Sequence, residues 1–424
     1  MSWPPRSSSR MLAGLVAVAL LLVAGVLVLG RAGESSGRIV ITVRLWDPAV
    51  AAAYTASFAE FTRTHPDIDV RTNVVPYASY FTTLRTDVAG GGADDIFWIN
   101  NASLAEYADS HRLLAIEPSP DWDPSVIEQF TRNGALWGVP QLTDAGIALY
   151  YNADLLAGDG VEPAELDTLR WDPDPGIDTL RPMLTRLTHG RQWGYNAAND
   201  LQAIYINYIG SAGGVFTDGD RFAFDNPPAV TAFAYIVGLI NTDHVAPPAS
   251  DTNDNGDFSR NQFLSGRMAL FQSGTYNLAQ VAEQAPFRWG VALLPAGPSG
   301  RVSVTNGIVA AGNPASRHPA AVREVLTWLG STRGNSYVGR HGAAIPAVLP
   351  AQQVYFDYWS AKGVDVTPFF TVLDGPRIAA PGGAGFAAGY QAIQPYFDEM
   401  FLGRMPVTEA LATAQSAANT AATR

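Results

Sequence analysis

The chain has 424 residues, of which 47% are hydrophobic and 16% are charged, and its formal net charge at pH 7 is −12. This length predicts two or three domains, and the apolar fraction excludes a chain that is disordered throughout. The acidic balance argues against a nucleic-acid partner, which needs a basic surface to replace phosphate counterions. Cysteine is absent, which excludes disulfides, thiolate metal sites and a lipid attached through cysteine.

An uncharged apolar stretch, Met11–Gly30, lies close to the N-terminus, with Arg6 and Arg10 before it. A helix of this length spans roughly 30 Å, the thickness of a bilayer core. Two interpretations are open. One is a transmembrane signal anchor with residues 1–10 as a cytoplasmic tail, which the length favours, and the other is a cleaved signal peptide. Both place the rest of the chain outside the cytoplasm, either anchored at the cell membrane or secreted.

A short polar linker, residues 31–37, precedes a body in which predicted strands and helices alternate. Short β-branched runs predict buried strands, and apolar residues spaced three and four apart predict helices. The β-α-β-α-β-α order indicates a parallel α/β sheet. The first elements predicted in this way are strands at Ile39–Leu45, Asp69–Val75 and Ile96–Ile99, and helices at Ala51–Thr64, Tyr77–Ala89 and Ser103–Ser110.

The alternation continues to the C-terminus, with a loop at Pro140–Ala145 predicted between two strands. Proline in its first turn marks Pro227–Asn241 as a helix. The alanine-rich tail beyond Met405 predicts a last helix, with Thr408 as its cap. Pattern alone therefore predicts two α/β domains with a cleft between them.

Six segments between about residues 39 and 350 carry a family resemblance through their order and spacing. They are ITVRLWDP, FAEFTRTHPDIDVRTNVVPYASYFTTLRTDVAGGGADDIFWIN, ALWGVPQLTDAGIALYYNADLL, FLSGRMALFQSGTYNL, FRWGVALLPAGPSGRVSVTNGIVAAGNPASRHPAAVREVLTWL and GAAIPAV. Together they resemble the extracellular solute-binding proteins of ABC importers, in the carbohydrate-binding group that includes maltose-binding protein. None of the segments is a catalytic signature.

The resemblance implies a two-lobed periplasmic-binding-protein fold that encloses its ligand in the interlobe cleft. By matching segments, the chain should cross between the lobes near Gln141–Ala145, Val304–Gly307 and Arg340–Ile345. The N-lobe would then comprise residues 38–142 and 306–341, and the C-lobe residues 146–303 and 345–424. The implied function is capture of a sugar or oligosaccharide and its delivery to the permease subunits of an ABC importer, by a monomer with no cofactor and no catalytic activity.

Two other functions remain open at this stage. One is a membrane-anchored extracytoplasmic enzyme acting on carbohydrate, and the other is a sugar sensor on the same fold that takes no part in transport. An enzyme requires a reaction centre, and the sequence offers neither a nucleophile elbow nor a phosphate-binding loop. These absences favour a binding protein.

Sugar sites need flat aromatic rings for C–H faces and polar side chains for hydroxyl edges. The foremost candidate is Tyr276, because the step Gly274-Thr275-Tyr276 resembles a family position where a ring stacks on sugar. The other candidates follow strands or lie in the crossings, where strand ends open to a cleft. The predicted ligand-binding residues are Trp46, Asp47, Tyr77, Asn100, Asn101, Gln141, Asp144, Asn199, Asp200, Gly274, Thr275, Tyr276, Asn306, Gly307 and Arg377.

Several of these residues have a purely structural alternative. Asp47 suits the cap of the next helix, and Asn100 suits a turn. Trp46 and Tyr77 suit packing at the edge of a core, and Arg377 suits a solvated loop.

Metal sites find little support in the sequence. The six histidines lack the spacing of a metal-binding pair. The stretch Asp251–Gln262 resembles a calcium loop at Asp251, Asn253, Asn255 and Gly256, but Gln262 cannot supply the bidentate carboxylate of its last position. A polar loop is therefore favoured there, and we expect no metal.

Overall fold

The computed structural model describes residues 37–423. The apolar stretch Met11–Gly30 lies outside the described residues. Within residues 37–423, every helix is either too short or too polar to cross a bilayer.

The strands are β1 (Ile39–Leu45), β2 (Ile68–Val74), β3 (Ile96–Asn100), β4 (Thr131–Arg132), β5 (Ala135–Leu136), β6 (Val139–Thr143), β7 (Ala148–Asn152), β8 (Thr217–Asp218), β9 (Arg221–Phe222), β10 (Leu270–Ser273), β11 (Trp289–Ala292), β12 (Ser303–Val304), β13 (Gly307–Gly312), β14 (Ile345–Pro346) and β15 (Arg377–Ile378).

The helices are α1 (Pro48–Thr64), α2 (Tyr77–Gly90), α3 (Asn101–Asp109), α4 (Pro124–Phe130), α5 (Ala153–Gly158), α6 (Pro163–Leu166), α7 (Leu180–Arg186), α8 (Ile206–Ser211), α9 (Pro227–Asn241), α10 (Ala249–Thr252), α11 (Phe258–Leu264), α12 (Leu278–Gln284), α13 (Pro319–Leu329), α14 (Thr332–Arg340), α15 (Gln353–Ala361), α16 (Thr367–Thr371), α17 (Phe386–Phe401) and α18 (Val407–Ala422). A π-helical turn precedes α8 at Leu201–Tyr205, and 3₁₀ turns occupy Thr275–Asn277 and Leu349–Ala351.

A six-stranded sheet organises the first lobe in the order β14-β6-β13-β3-β1-β2. The three strands predicted from the alternating pattern are parallel, with β1 between β2 and β3. The sheet is nevertheless mixed, because β13 runs antiparallel to both β3 and β6. The chain therefore returns to the first lobe after a long excursion.

A smaller antiparallel sheet, β10-β7-β11, organises the second lobe. Successive residues of β7 alternate between two cores, as the period of a strand requires. Leu149 packs with the larger core of this lobe, whereas Tyr150 packs with a smaller aromatic one. The core of the first lobe is separate and includes buried side chains from Ile41 to Leu142 and from Ile308 to Ala351. The two-lobed α/β fold expected from the sequence is thus confirmed.

The loop predicted at Pro140–Ala145 is wrong over most of its length, because β6 continues to Thr143. All five residues of β6 are buried, and the strand pairs with β13 on one side and β14 on the other. The chain leaves the six-stranded sheet only at Asp144, next to Ala145, which adopts a positive φ of 52°. A second passage separates β12 from β13.

Two helix starts also differ from prediction. Helix α3 begins at Asn101, two residues early, because the Asn100 side chain caps it by accepting from the Ser103 amide. Helix α18 begins at Val407, so Thr408 lies inside the first turn and is not the cap. Extended Pro406 occupies that position without a side-chain bond. The calcium-like stretch is also broken up, since Asp251 lies within α10.

Candidate functional site

Two tyrosines expose their rings from opposite lobes. Tyr77 begins α2 directly after β2, and its side chain is 59% exposed. Tyr276 lies on the 3₁₀ turn that follows β10 and is 43% exposed. A tyrosine combines an apolar ring with a polar tip, which suits it to an interaction surface.

Tyr77 packs against its own lobe, and a carboxylate of the second lobe affects its pKa. Its ring meets Trp46 edge to face, with centroids 5.6 Å apart. Desolvation raises the pKa of Tyr77, and the negative charges of Asp144 and Asp200 raise it further. This tyrosine of the first lobe therefore lies close to carboxylates at the first passage and in the second lobe.

Tyr276 faces the same two carboxylates from the other side. Desolvation raises its pKa, with smaller contributions from the charges of Asp200 and Asp144. Its ring folds back over Gly274, where a Cβ would overlap the ring carbons. The glycine thus permits the ring's position. The neighbouring Thr275 hydroxyl donates to the Asp144 carbonyl at 3.0 Å and ties the turn to the passage between the lobes.

Asp144 and Asp200 lie near both rings, and Asp47 lies near Asp144. Desolvation raises the pKa of Asp144 to about 6, and the charge of Asp47 adds to the effect. Desolvation also raises the pKa of Asp47 and of Asp200. Within residues 37–423 no arginine, lysine or histidine stabilises the charge of any of the three. The site therefore offers hydrogen-bond acceptors and negative charge.

Trp46 and Asp47, which follow β1, also have the structural roles that the sequence left open for them. Asp47 caps α1, with its Oδ1 atom accepting from the amides of Ala49 and Val50. Trp46 packs edge to face on Tyr80 and Trp98, with centroids 4.8 and 4.9 Å away. Trp46 thus forms the wall behind Tyr77.

Sequence reasoning missed two residues of this site. Tyr390 lies on α17, and its hydroxyl is 3.2 Å from that of Tyr205. Desolvation is the main cause of its raised pKa, and the charges of Asp200 and Tyr77 raise it further. Gln202 donates from Nε2 to the Asp144 carboxylate at 3.1 Å. Neither residue follows a strand. The pattern of an amphipathic helix assigns a tyrosine such as Tyr390 to the core, so no local sequence signal marks either residue as part of a site.

Other predicted residues have different partners in the structure. Gln141 is fully buried within β6, where its Oε1 atom accepts from the Tyr54 hydroxyl at 2.5 Å. Asn101 donates to the Ala380 carbonyl at 2.9 Å, and Asn199 donates to Asp398 at 3.0 Å. These three side chains therefore each have a hydrogen-bond partner within the protein, and their contact with a ligand stays a prediction.

The remaining three predicted residues lie at the passages or on the surface. The Asn306 carbonyl accepts from the Asp144 amide at 2.9 Å, which braces the two passages against each other. Gly307 begins β13 and lies so close to Val126 that a Cβ would be 2.7 Å from its methyl groups. Arg377 is exposed on β15, and its Nε donates to the Leu373 carbonyl.

The geometry suits a hydroxyl-rich ligand. Tyr77, Tyr276 and Tyr390 supply flat apolar surfaces, and three carboxylates with the Gln202 and Asn100 amides supply edge contacts. Such a combination of rings and convergent polar groups is the usual form of a small-molecule site.

Comparison with known protein families gives a match over most of the chain. The model for "Bacterial extracellular solute-binding protein" matches residues 47–336. A relative of Deinococcus radiodurans, described as a "Probable ABC transporter-binding protein", is 30% identical over 218 residues. That match covers 49% of this chain and 50% of the relative, so it spans about half the length of each.

Solved structures extend the similarity to the whole body. The chain is 71% identical to UspC of M. tuberculosis, with a TM-score of 0.76, over 90% of this chain and 100% of UspC. The ABC substrate-binding protein Lmo0181 of Listeria monocytogenes, in complex with cycloalternan, is 20% identical, with a TM-score of 0.80 over 90% of this chain and 98% of that one. By its sequence match and its two-lobed fold, the chain belongs to the bacterial extracellular solute-binding proteins.

Proposed function

We propose that the chain captures a sugar or oligosaccharide between its lobes outside the cytoplasm and delivers it, as a monomer, to the permease of an ABC importer. One observation carries the proposal: Tyr77 and Tyr276 expose their rings from opposite lobes around the same two carboxylates, Asp144 and Asp200. A ligand that fills this space contacts both lobes.

The chemistry of the site matches that of a carbohydrate. Sugar rings present C–H patches that pack on tyrosine faces, and their hydroxyls donate to carboxylate and amide oxygens. Asp144 and Asp200 offer such acceptors, and Gln202 already orients one of them. Because binding is the function of the family, we assign these carboxylates to recognition and not to catalysis.

Closure of the lobes links capture to transport. We place the N-lobe at residues 38–142 and 306–351 and the C-lobe at residues 146–303 and from 352 onward, with the site at the passages between them. The N-lobe extends past the expected end at residue 341, because β14 pairs within its sheet and Ala351 packs in its core. Binding energy from both lobes would favour the closed form, and a permease can then recognise that shape. The same placement supports Trp46, Asp47 and Asn100 as residues at the edge of the site.

Family membership implies an extracytoplasmic location. We further propose that Met11–Gly30 anchors the chain to the membrane, because cysteine, the usual attachment point for a lipid, is absent. Mass spectrometry of the mature N-terminus tests this anchor. A chain that retains Met11–Gly30 supports it, and a mature start just after residue 30 would disprove it.

The experiment for the sugar proposal is a thermal-shift screen with mono- and oligosaccharides, and with amino acids and short peptides as the comparison set. A ligand at 100 times its dissociation constant stabilises the folded protein by about 2.7 kcal/mol, which is easily detected. We expect stabilisation by carbohydrate. Stabilisation by amino acids or peptides alone would refute the proposal.

A further inference from the structure

Residues 380–383, which we call the latch segment, connect β15 to α17 in the second lobe and lie against the first lobe. We propose that the latch segment fastens the two lobes to each other beside the second passage and restrains the rotation by which they open and close around a ligand. The ligand part of this inference rests on the proposed function, whereas the fastening does not.

A hydrogen bond between the lobes is the first support. The Asn101 side chain donates from Nδ2 to the Ala380 carbonyl at 2.9 Å, across 279 positions of sequence. Helix α3, which Asn101 begins, buries Leu104 and Tyr107 in the first core. Ala380 packs against the larger core of the second lobe. The bond therefore joins two separately packed bodies.

The close approach of Gly382 is the second support. A Cβ on Gly382 would lie 2.7 Å from Nδ2 and 2.9 Å from the carbonyl oxygen of Asn101, closer than real Cβ atoms come. Its φ is not positive, so the backbone itself would accept alanine. Only the contact with the first lobe therefore requires glycine at this position.

An ion pair beside the latch segment is the third support. Arg132 of the first lobe is fixed by Asp109, with both bonds at 2.7 Å. Its Nη1 atom also lies 3.6 Å from Asp220 on the turn between β8 and β9 in the second lobe. Gly383, with a φ of 113°, lies directly against Asp220. The latch segment and the Arg132–Asp220 ion pair thus form one continuous contact between the lobes, which we call the seam.

The seam has a mechanical consequence. The seam flanks the second passage, because β12 pairs with β15 at one end of the passage and β13 pairs with β3 at the other. A rotation of the lobes that separates α3 from the latch segment must break the Asn101–Ala380 bond and part Arg132 from Asp220, so these contacts resist that rotation. Removing them should let the lobes part more easily and speed ligand release.

The test uses the natural absence of cysteine, which lets two engineered cysteines carry spin labels uniquely. Ala89→Cys on α2 and Ala412→Cys on α18 place exposed labels on the two lobes. The distance between the labels is measured by electron paramagnetic resonance, without ligand, in the otherwise native chain and with Gly382→Ala. We expect Gly382→Ala to lengthen or broaden this distance.

Release of whichever sugar the chain binds is the second readout, and we expect it to be about tenfold faster with Gly382→Ala. The matched control is Gly158→Ala, where a Cβ meets nothing within 4 Å. If Gly382→Ala does not fold, Asn101→Ala removes the same contact by deletion. An unchanged distance distribution in the folded variant would overturn the inference, whereas a changed distance in a chain that binds no sugar would overturn only the proposed function.

Discussion

The side-chain amide of Gln202 donates a 3.1 Å hydrogen bond to the carboxylate of Asp144, the residue at which the chain leaves the six-stranded sheet. The bond favours the charged form of Asp144, yet desolvation outweighs it and holds the pKa at about 6. A carboxylate with a raised pKa destabilises the fold when it is ionised.

We therefore predict that Asp144→Asn stabilises the protein at neutral pH. Folding raises the pKa of Asp144 from an ordinary value of about 3.9 to about 6. The protonated carboxyl therefore adds to the free energy of unfolding in full below about pH 4, and this contribution is lost as the pH rises through 6. We expect Asp144→Asn to gain about 1–2 kcal/mol at pH 7.5 and nothing at pH 4, after allowance for solvent screening.

Chemical denaturation across pH 4–8 measures this difference. The control is Asp121→Asn, which replaces an exposed carboxylate on the surface of the first lobe. It should leave the dependence of the unfolding free energy on pH unchanged. A loss of stability with Asp144→Asn at pH 7.5 would show that the charged carboxylate stabilises the fold.

Gly274→Ala should weaken sugar binding nearly as much as removal of the Tyr276 ring. A Cβ at this position would overlap the ring of Tyr276, while the backbone angles of Gly274 suit any residue. The ring must then turn away from the site. We expect affinity to fall by about 10- to 100-fold, the usual loss for a stacked aromatic anchor. Calorimetry measures it, with Gly158→Ala as control, and affinity within twofold of the parent would contradict the assigned ring position.

Tyr390→Phe should lower affinity by about three- to tenfold, since it removes one hydroxyl that bonds Tyr205 and faces the site. Tyr396→Phe, on the same helix, makes the same chemical change away from Tyr205 and should bind normally. Equal affinities for the two variants would remove Tyr390 from the site.

Gln141→Ala tests a different role, because Gln141 is buried and accepts from the Tyr54 hydroxyl. Its loss leaves that hydroxyl without its acceptor, which costs about 1–3 kcal/mol of unfolding free energy. We expect a lower melting temperature and unchanged affinity below it. A large loss of affinity at unchanged stability would instead show that Gln141 contacts the ligand.

The sequence predicted the parts of the fold and site that depend on local pattern. Strands β1–β3 and helix α9 follow from hydrophobic period and proline position, and Tyr77 and Asp200 follow strands or polar loops. These residues could be proposed because strand ends in α/β folds open to a cleft.

Long-range partners set the limit of that reasoning. Gln141 is polar in a segment that reads as a loop, and only its bond to Tyr54, 87 positions earlier, shows it to be a buried strand residue. Asn101 follows a strand as Asn100 does, yet its partner is Ala380, 279 positions later. Tyr390 shares the helical pattern of the core residues Phe386 and Ile393, so periodicity alone assigns all three to packing.

One sugar should contact both lobes through Tyr77 and Tyr276. Calorimetric titration of the native chain, Tyr77→Ala, Tyr276→Ala and the double variant with a sugar found in the screen measures whether it does. We predict that each single variant loses at least about tenfold in affinity and that the double variant binds no sugar measurably. Native affinity in either single variant, with both folded, would contradict a site shared between the lobes.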